Sequence, residues 1–192
     1  IEEVLKTNPD NIVIVDETYV EFAPAGSSCL PLLETYDNLV ITHTFSKTHN
    51  LAGARLGFAM GNAALIADLN TIKYSTNPYN VSRMASAVGC TVLDENEYYM
   101  EHCRIIAENR EWTTQQLRQL GFTVLDSKAN FVFAGTKKIA GLALYQELKK
   151  RGILIRHFEK PRICDFNRIT IGTMTQMQSL IDTIRAILEE RQ

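Results

Sequence analysis

Residues 12–15 read Ile-Val-Ile-Val, four β-branched apolar side chains in succession, and the next residue is Asp16. A strand covered on one side alternates apolar with polar. An unbroken apolar run predicts a strand buried on both faces, as in a parallel sheet with helices packed over it. Sheets of that kind collect ligands beyond the carboxyl ends of their strands, so the residue that closes the run matters. A carboxylate there is costly unless a cation pairs with it.

The rest of the chain continues this pattern. Pro24, Gly26, Ser27, Ser28 and Pro31 make 23–31 a loop. Strands are expected over 38–43 and 56–60, and a helix over 62–74 from the spacing of Leu65, Ile66, Leu69 and Ile72. Asn77-Pro78-Tyr79-Asn80 breaks the pattern. A long amphipathic helix follows over about 81–119, interrupted near 94–97 and capped by Gly121. Short strands are then expected at 122–126, 130–134, 153–157 and 168–172, with helices at 139–151 and 175–191. The fold class is α/β for the first part, a mostly parallel sheet with helices, joined to a smaller α+β domain. The expected division is 1–85 and 86–192.

Composition narrows the function. The chain has 192 residues and a formal net charge of −2, which argues against nucleic acid as the main partner. No apolar run approaches the ~20 residues that span a bilayer. Cys29, Cys90, Cys103 and Cys164 are scattered without metal-ligand spacing, and the four histidines form no H-E-x-x-H pair. These readings favour inert thiols in a reducing cytoplasm. The chain opens at Ile1 and runs almost at once into a buried-type strand, so a piece of a longer protein is expected.

The chemistry concentrates at strand ends. Lys47 lies in Thr44-Phe45-Ser46-Lys47, just past the second strand, and Arg55 follows within Gly53-Ala54-Arg55-Leu56-Gly57. Asp16 and Tyr19 lie beyond the first strand. Pyridoxal phosphate needs a lysine amine for a Schiff base and for proton transfer. It also needs an acid on its pyridine nitrogen, a donor to its ring oxygen, and hydroxyls and an arginine for its phosphate. Lys47, Asp16, Tyr19, and Thr44, Ser46 and Arg55 meet these demands in turn. Gly53 and Gly57 would permit close backbone approach around Arg55. Each residue alone is a weak signal; their joint spacing is a strong one.

At these residues the chain resembles the fold-type I pyridoxal-phosphate enzymes, the aspartate aminotransferase superfamily. Within that superfamily it is most similar to the histidinol-phosphate aminotransferases. Asp16-Glu17-Thr18-Tyr19 running on to Phe22, Pro78-Tyr79-Asn80-Val81 and Arg168-Ile169-Thr170-Ile171-Gly172-Thr173 carry that closer likeness. The resemblance covers essentially all 192 residues, as the C-terminal half of such an enzyme. It implies the C-terminal part of a large cofactor-binding domain plus a small C-terminal domain. It makes Lys47 the Schiff-base lysine, and makes Arg168 the clamp on the substrate carboxylate. Arg156 would face the substrate side chain or its phosphate. The implied substrates are an amino-acid-like or amino-phosphate donor and a 2-oxo acid, and the implied assembly is a cytoplasmic homodimer. Threonine-phosphate decarboxylase, aromatic amino acid aminotransferase and a non-catalytic effector-binding module share the pattern.

Two departures stand out. The family usually follows its lysine with a small residue and then an aromatic one, and this chain has Thr48-His49-Asn50. The N-terminal half of such enzymes also supplies a second phosphate-binding segment, an aromatic that stacks on the ring and an asparagine. The 192 residues alone are therefore expected to hold an incomplete, inactive site.

Overall fold

The structure, a computed structural model, describes residues 1–191. The chain divides into two compact units, Ile1–Glu101 and His102–Gln192. That division falls inside a helix, C-terminal to the boundary expected at 85/86.

The first unit begins with α1 (Glu2–Thr7), then β1 (Val13–Asp16), β2 (Leu39–Thr44) and β3 (Gly57–Gly61). The sheet order is β1-β2-β3. β1 runs parallel to β2 with Asp16 opposite Thr42, and β3 runs antiparallel to β2 with Gly57 opposite Thr44. The α/β class therefore holds, with mixed pairing in this sheet. Three short 3-10 turns fill the connections, at Val20–Phe22, Leu30–Glu34 and Ala52–Ala54. After the sheet come α2 (Ala63–Thr76), α3 (Arg83–Asp94) and α4 (Asn96–Gln119), the last shared between the units. Asn62 and Ser82 cap α2 and α3 by accepting from backbone N–H groups.

Leu5, Leu39 and Ile41 form the buried centre of this unit, with Val13, Val15, Leu32, Leu33, Tyr36 and Met60 packed around them. One expectation fails here. Ile12 and Ile14 are 58% and 67% exposed, so the apolar run at 12–15 is covered on one face only. Alternate residues of a strand point to opposite faces. Val13 and Val15 meet the Leu5–Ile41 layer, and the first unit supplies no second layer. α2 forms where its spacing predicts, yet it buries none of its residues, and Leu69 and Ile72 stay exposed.

In the second unit, α4 ends in a Schellman motif. Gly121 takes φ +89°, its N–H donates to Arg118 O, and Phe122 N–H donates to Leu117 O. The sheet is antiparallel, in the order β4-β5-β7-β6, from β4 (Thr123–Leu125), β5 (Phe131–Gly135), β6 (Arg156–His157) and β7 (Phe166–Thr170). β6 is shorter than the sequence suggests, because Ile153 and Ile155 pack against the core without joining the ladder. α5 (Gly141–Lys150) and α6 (Met174–Glu189) complete the unit. α6 starts with a capping box in which Thr173 and Gln176 satisfy each other's backbone N–H. Leu117, Val132, Leu144, Leu148, Ile169, Ile181 and Ile184 are at the centre of a single continuous core.

Candidate active site

The registers of the first sheet place its candidate site residues at one end. β1 closes at Asp16 and β2 closes at Thr44, while β3, running the other way, opens opposite Thr44. The turn carrying Lys47 and the turn carrying Arg55 therefore leave the same edge as Asp16.

Asp16 is exposed, and its Oδ1 accepts from Thr18 N–H at 3.0 Å and from the Thr18 hydroxyl. Oδ2 has no hydrogen-bond or ionic partner among the described residues. Tyr19 follows, half-buried, and its carbonyl accepts from Phe22 N–H at 3.1 Å.

Two backbone bonds pin the Lys47 turn. Phe45 N–H donates to Leu56 O at 3.1 Å, and Leu51 N–H donates to Phe45 O at 2.9 Å. The Phe45 ring is buried beneath it. Thr44 Oγ1 accepts from Ser46 N–H at 3.1 Å and donates to Leu56 O at 3.4 Å, so this hydroxyl stitches the two turns together. Lys47 is half-buried, and its Nζ makes no ion pair or hydrogen bond among the described residues.

Arg55 sits in the left-handed region, φ +53° and ψ +42°. A bulky residue held there costs about 1–3 kcal/mol, and such strain clusters at functional sites. One guanidinium N–H donates to Ala52 O at 3.0 Å; the other donors have no partner among the described residues. Gly57 is required beside it, because a Cβ would come within 2.7 Å of the His43 carbonyl oxygen. Gly53 is different: a Cβ there meets nothing within 4 Å, so no close approach within the chain explains it.

The departures after the lysine have local causes. Thr48 is buried, and its hydroxyl donates to Glu21 Oε2 at 2.9 Å. His49 is 7% exposed and fills an aromatic slot, 5.1 Å from the Phe45 ring and 4.9 Å from the Tyr99 ring. Neither of its ring nitrogens has a hydrogen-bond partner. Asn50 takes φ +57°, a conformation that asparagine tolerates better than most residues.

Sequence reading missed a charged cluster behind these turns. Glu17 is buried. Its Oε2 faces His43 Nε2 at 3.0 Å and accepts from the Ser28 hydroxyl at 2.8 Å, while its Oε1 accepts from Cys29 N–H at 2.5 Å. Burial, and then the Glu17 carboxylate, push the Cys29 thiol above its ordinary pKa. His43 Nδ1 lies 3.3 Å from Glu21 Oε1. Glu21, Ser28, His43, Thr44 and His49 line one side of a cavity of about 290 Å³. The signal was the spacing of Glu17 and Glu21 around Tyr19, which acquires meaning only once β1 and β2 pair in register.

The second unit brings together the other two expected residues. Arg156 and Arg168 are directly opposite each other across β6 and β7. Like charges in that position repel. Each guanidinium lies by an aromatic ring instead of a carboxylate: Arg168 is 5.3 Å from the Phe131 centroid and Arg156 5.5 Å from that of Phe158. Arg168 Nε is buried without a hydrogen-bond partner. Arg156 lines a cleft of about 700 Å³ with Tyr145, His157 and Lys160.

Comparison with known proteins bears on family and fold. Residues 1–184 fit the family model described as aminotransferase class I and II. A histidinol-phosphate aminotransferase from Brachyspira hyodysenteriae is 43% identical over 189 residues, 98% of this chain and 53% of that protein. The crystal structure of the histidinol-phosphate aminotransferase from Clostridium acetobutylicum matches with a TM-score of 0.88 at 26% identity, covering 98% of this chain and 58% of that one. That from Sinorhizobium meliloti, solved in complex with pyridoxal-5'-phosphate, shares the fold with a TM-score of 0.83 at 24% identity, covering 98% of this chain and 53% of that one. The chain spans about half the length of the curated relatives it matches. On the family match and on an identity sustained along nearly its whole length, the chain belongs to the class I and II aminotransferases.

Proposed function

We propose that this chain carries the cofactor lysine of a pyridoxal-phosphate-dependent aminotransferase. Its amino donor is histidinol phosphate, its acceptor is 2-oxoglutarate, and its place is histidine biosynthesis. The observation that carries this reading is the sheet register, which puts Asp16, the Lys47 turn and the Arg55 turn at one edge. The residues fit the cofactor: an amine without a partner, a carboxylate with one open oxygen, and a strained arginine with donors to spare. The names of relatives at 40–43% identity support the substrate.

Bound pyridoxal phosphate supplies the electron sink that lets an amino acid lose its α-proton. Lys47 Nζ accepts that proton and returns it. Asp16, with its free Oδ2, would hold the pyridine nitrogen protonated, and the Tyr19 hydroxyl would donate to the ring oxygen. Ser46, Thr44 and Arg55 would hold the phosphate, with Arg55 as a multidentate donor. In the second unit, Arg168 takes the substrate carboxylate, a planar two-point task suited to a guanidinium. Arg156, which lines the cleft beside it, would face the substrate's own phosphate. The working assembly in this reading is a cytoplasmic homodimer; the four cysteines, all free thiols, accord with a reducing compartment.

A panel of amino donors tests the reading in the full-length protein. Histidinol phosphate should support turnover with 2-oxoglutarate at a kcat/KM at least about tenfold above phenylalanine, tyrosine or leucine, the scale set by a phosphate-recognising arginine. Carbon dioxide release without use of an amino acceptor would assign a decarboxylase instead.

A further inference from the structure

His43 is the centre of a chain of contacts that joins the turn carrying Tyr19 to the turn carrying Lys47. Glu17 and Glu21 flank Tyr19 two residues on either side, and Thr48 follows Lys47. His43 Nε2 faces Glu17 Oε2 at 3.0 Å, and Nδ1 faces Glu21 Oε1 at 3.3 Å. Glu21 reaches on to the Thr48 hydroxyl, and Glu17 to Ser28 and the Cys29 N–H.

An imidazole can donate from both nitrogens only when both are protonated; a neutral ring would turn a lone pair toward one carboxylate. A buried carboxylate also needs a cation. Neither Glu17 nor Glu21 has an ion pair to lysine or arginine among the described residues, so His43 alone fills that need. Among the described residues the remaining surroundings add no opposing cation in contact. Phe58 of β3 stacks on the ring at 5.2 Å between centroids. His49 lines the same cavity from the Lys47 turn, as do Leu93 of α3 and Asn96 and Met100 of α4. The Cys29 thiol stands beside Glu17 with its pKa raised, and so neutral near pH 7.

We propose that His43, held as an imidazolium between Glu17 and Glu21, is a positioning residue that locks the Tyr19 turn to the Lys47 turn. This rests on the reading of Tyr19 and Lys47 as cofactor contacts. Loss of the ring's second proton breaks one of the two links.

Three variants of the full-length protein test it: His43→Gln, His43→Arg and Glu21→Gln. In cofactor-free protein with ¹⁵N-labelled histidine, one ring, identified by its absence in His43→Arg, should carry protons on both nitrogens at pH 7. Glu21→Gln should weaken the hydrogen bond at Nδ1 of that ring and leave the one at Nε2, since an amide oxygen accepts less strongly than a carboxylate. In cofactor-loaded protein, His43→Gln should lose roughly tenfold in kcat with the donor KM within about twofold, as misplacement of reacting groups does. His43→Arg, whose guanidinium has donors for both carboxylates, should restore kcat. A ring with one bare nitrogen throughout pH 6–8 would overturn the proposal. So would a His43→Gln protein that is less heat-stable but keeps the wild-type kcat. Failure of the cofactor reading alone would show as no reductive label on Lys47, with the NMR result intact.

Discussion

His49 shows how a residue outside the family pattern can still be ordinary in its physics. Its ring is packed between Phe45 and Tyr99, and its nitrogens bond to nothing among the described residues. It serves as an aromatic filler that bears the cost of buried, unsatisfied polar atoms. His49→Phe should therefore keep cofactor binding and leave stability unchanged or raised by about 1 kcal/mol, the usual cost of leaving such a group unpaired. Urea unfolding measures this, and a loss of stability beyond that size would mean that the nitrogens have a partner in solution. Arg55 is the opposite case. Its left-handed backbone is strained, so Arg55→Gly should stabilise the fold by roughly 0.5–1 kcal/mol. The same change should weaken cofactor binding at least about tenfold, since it removes a charge-assisted phosphate contact. Thermal melts without cofactor and titration with pyridoxal phosphate separate the two effects. Both residues were visible in the sequence, Arg55 by its spacing from Lys47 and His49 only as an anomaly. The backbone angle of one and the aromatic slot of the other depend on turns that no periodicity encodes.

At the scale of elements, strand positions were largely legible because short apolar runs bounded by turn residues leave few alternatives. What covers each strand was not. Ile12-Val13-Ile14-Val15 predicts two buried faces, and the structure covers one, because the run reports how apolar the strand is and not which layers this stretch of chain contains. α2 repeats the lesson, with Leu69 and Ile72 in solvent. Exposed apolar surface of this sort marks contact with another layer or partner. The two faces should respond differently to substitution in the 192-residue chain. Ile14→Thr should change unfolding free energy by less than about 0.5 kcal/mol, as for surface sites. Ile41→Ala should cost about 2–5 kcal/mol through the cavity it leaves. Equal losses at both positions, read by chemical denaturation, would mean that Ile14 is buried in solution. The cluster of Glu17, His43 and Glu21 belongs to this scale as well, because it exists only through the pairing of β1 with β2.

The whole molecule carries two compact units, each with its own buried centre. The six candidate residues of the first unit lie at one edge of its sheet, and the two arginines of the second unit are neighbours across one strand pair. The spacing of chemistry-bearing residues after strand-like runs pointed to the first group, since it survives without knowledge of packing, whereas the two arginines were implied only by the resemblance to the aminotransferase superfamily. The central claim is that Lys47 is the cofactor lysine. Borohydride reduction of the full-length protein loaded with pyridoxal phosphate, followed by peptide mapping, tests it most directly. The account predicts a single reduced adduct on the peptide that contains Lys47, with none formed in Lys47→Ala. An adduct on another lysine, or no adduct in a protein that is folded and exposed to saturating cofactor, would contradict it.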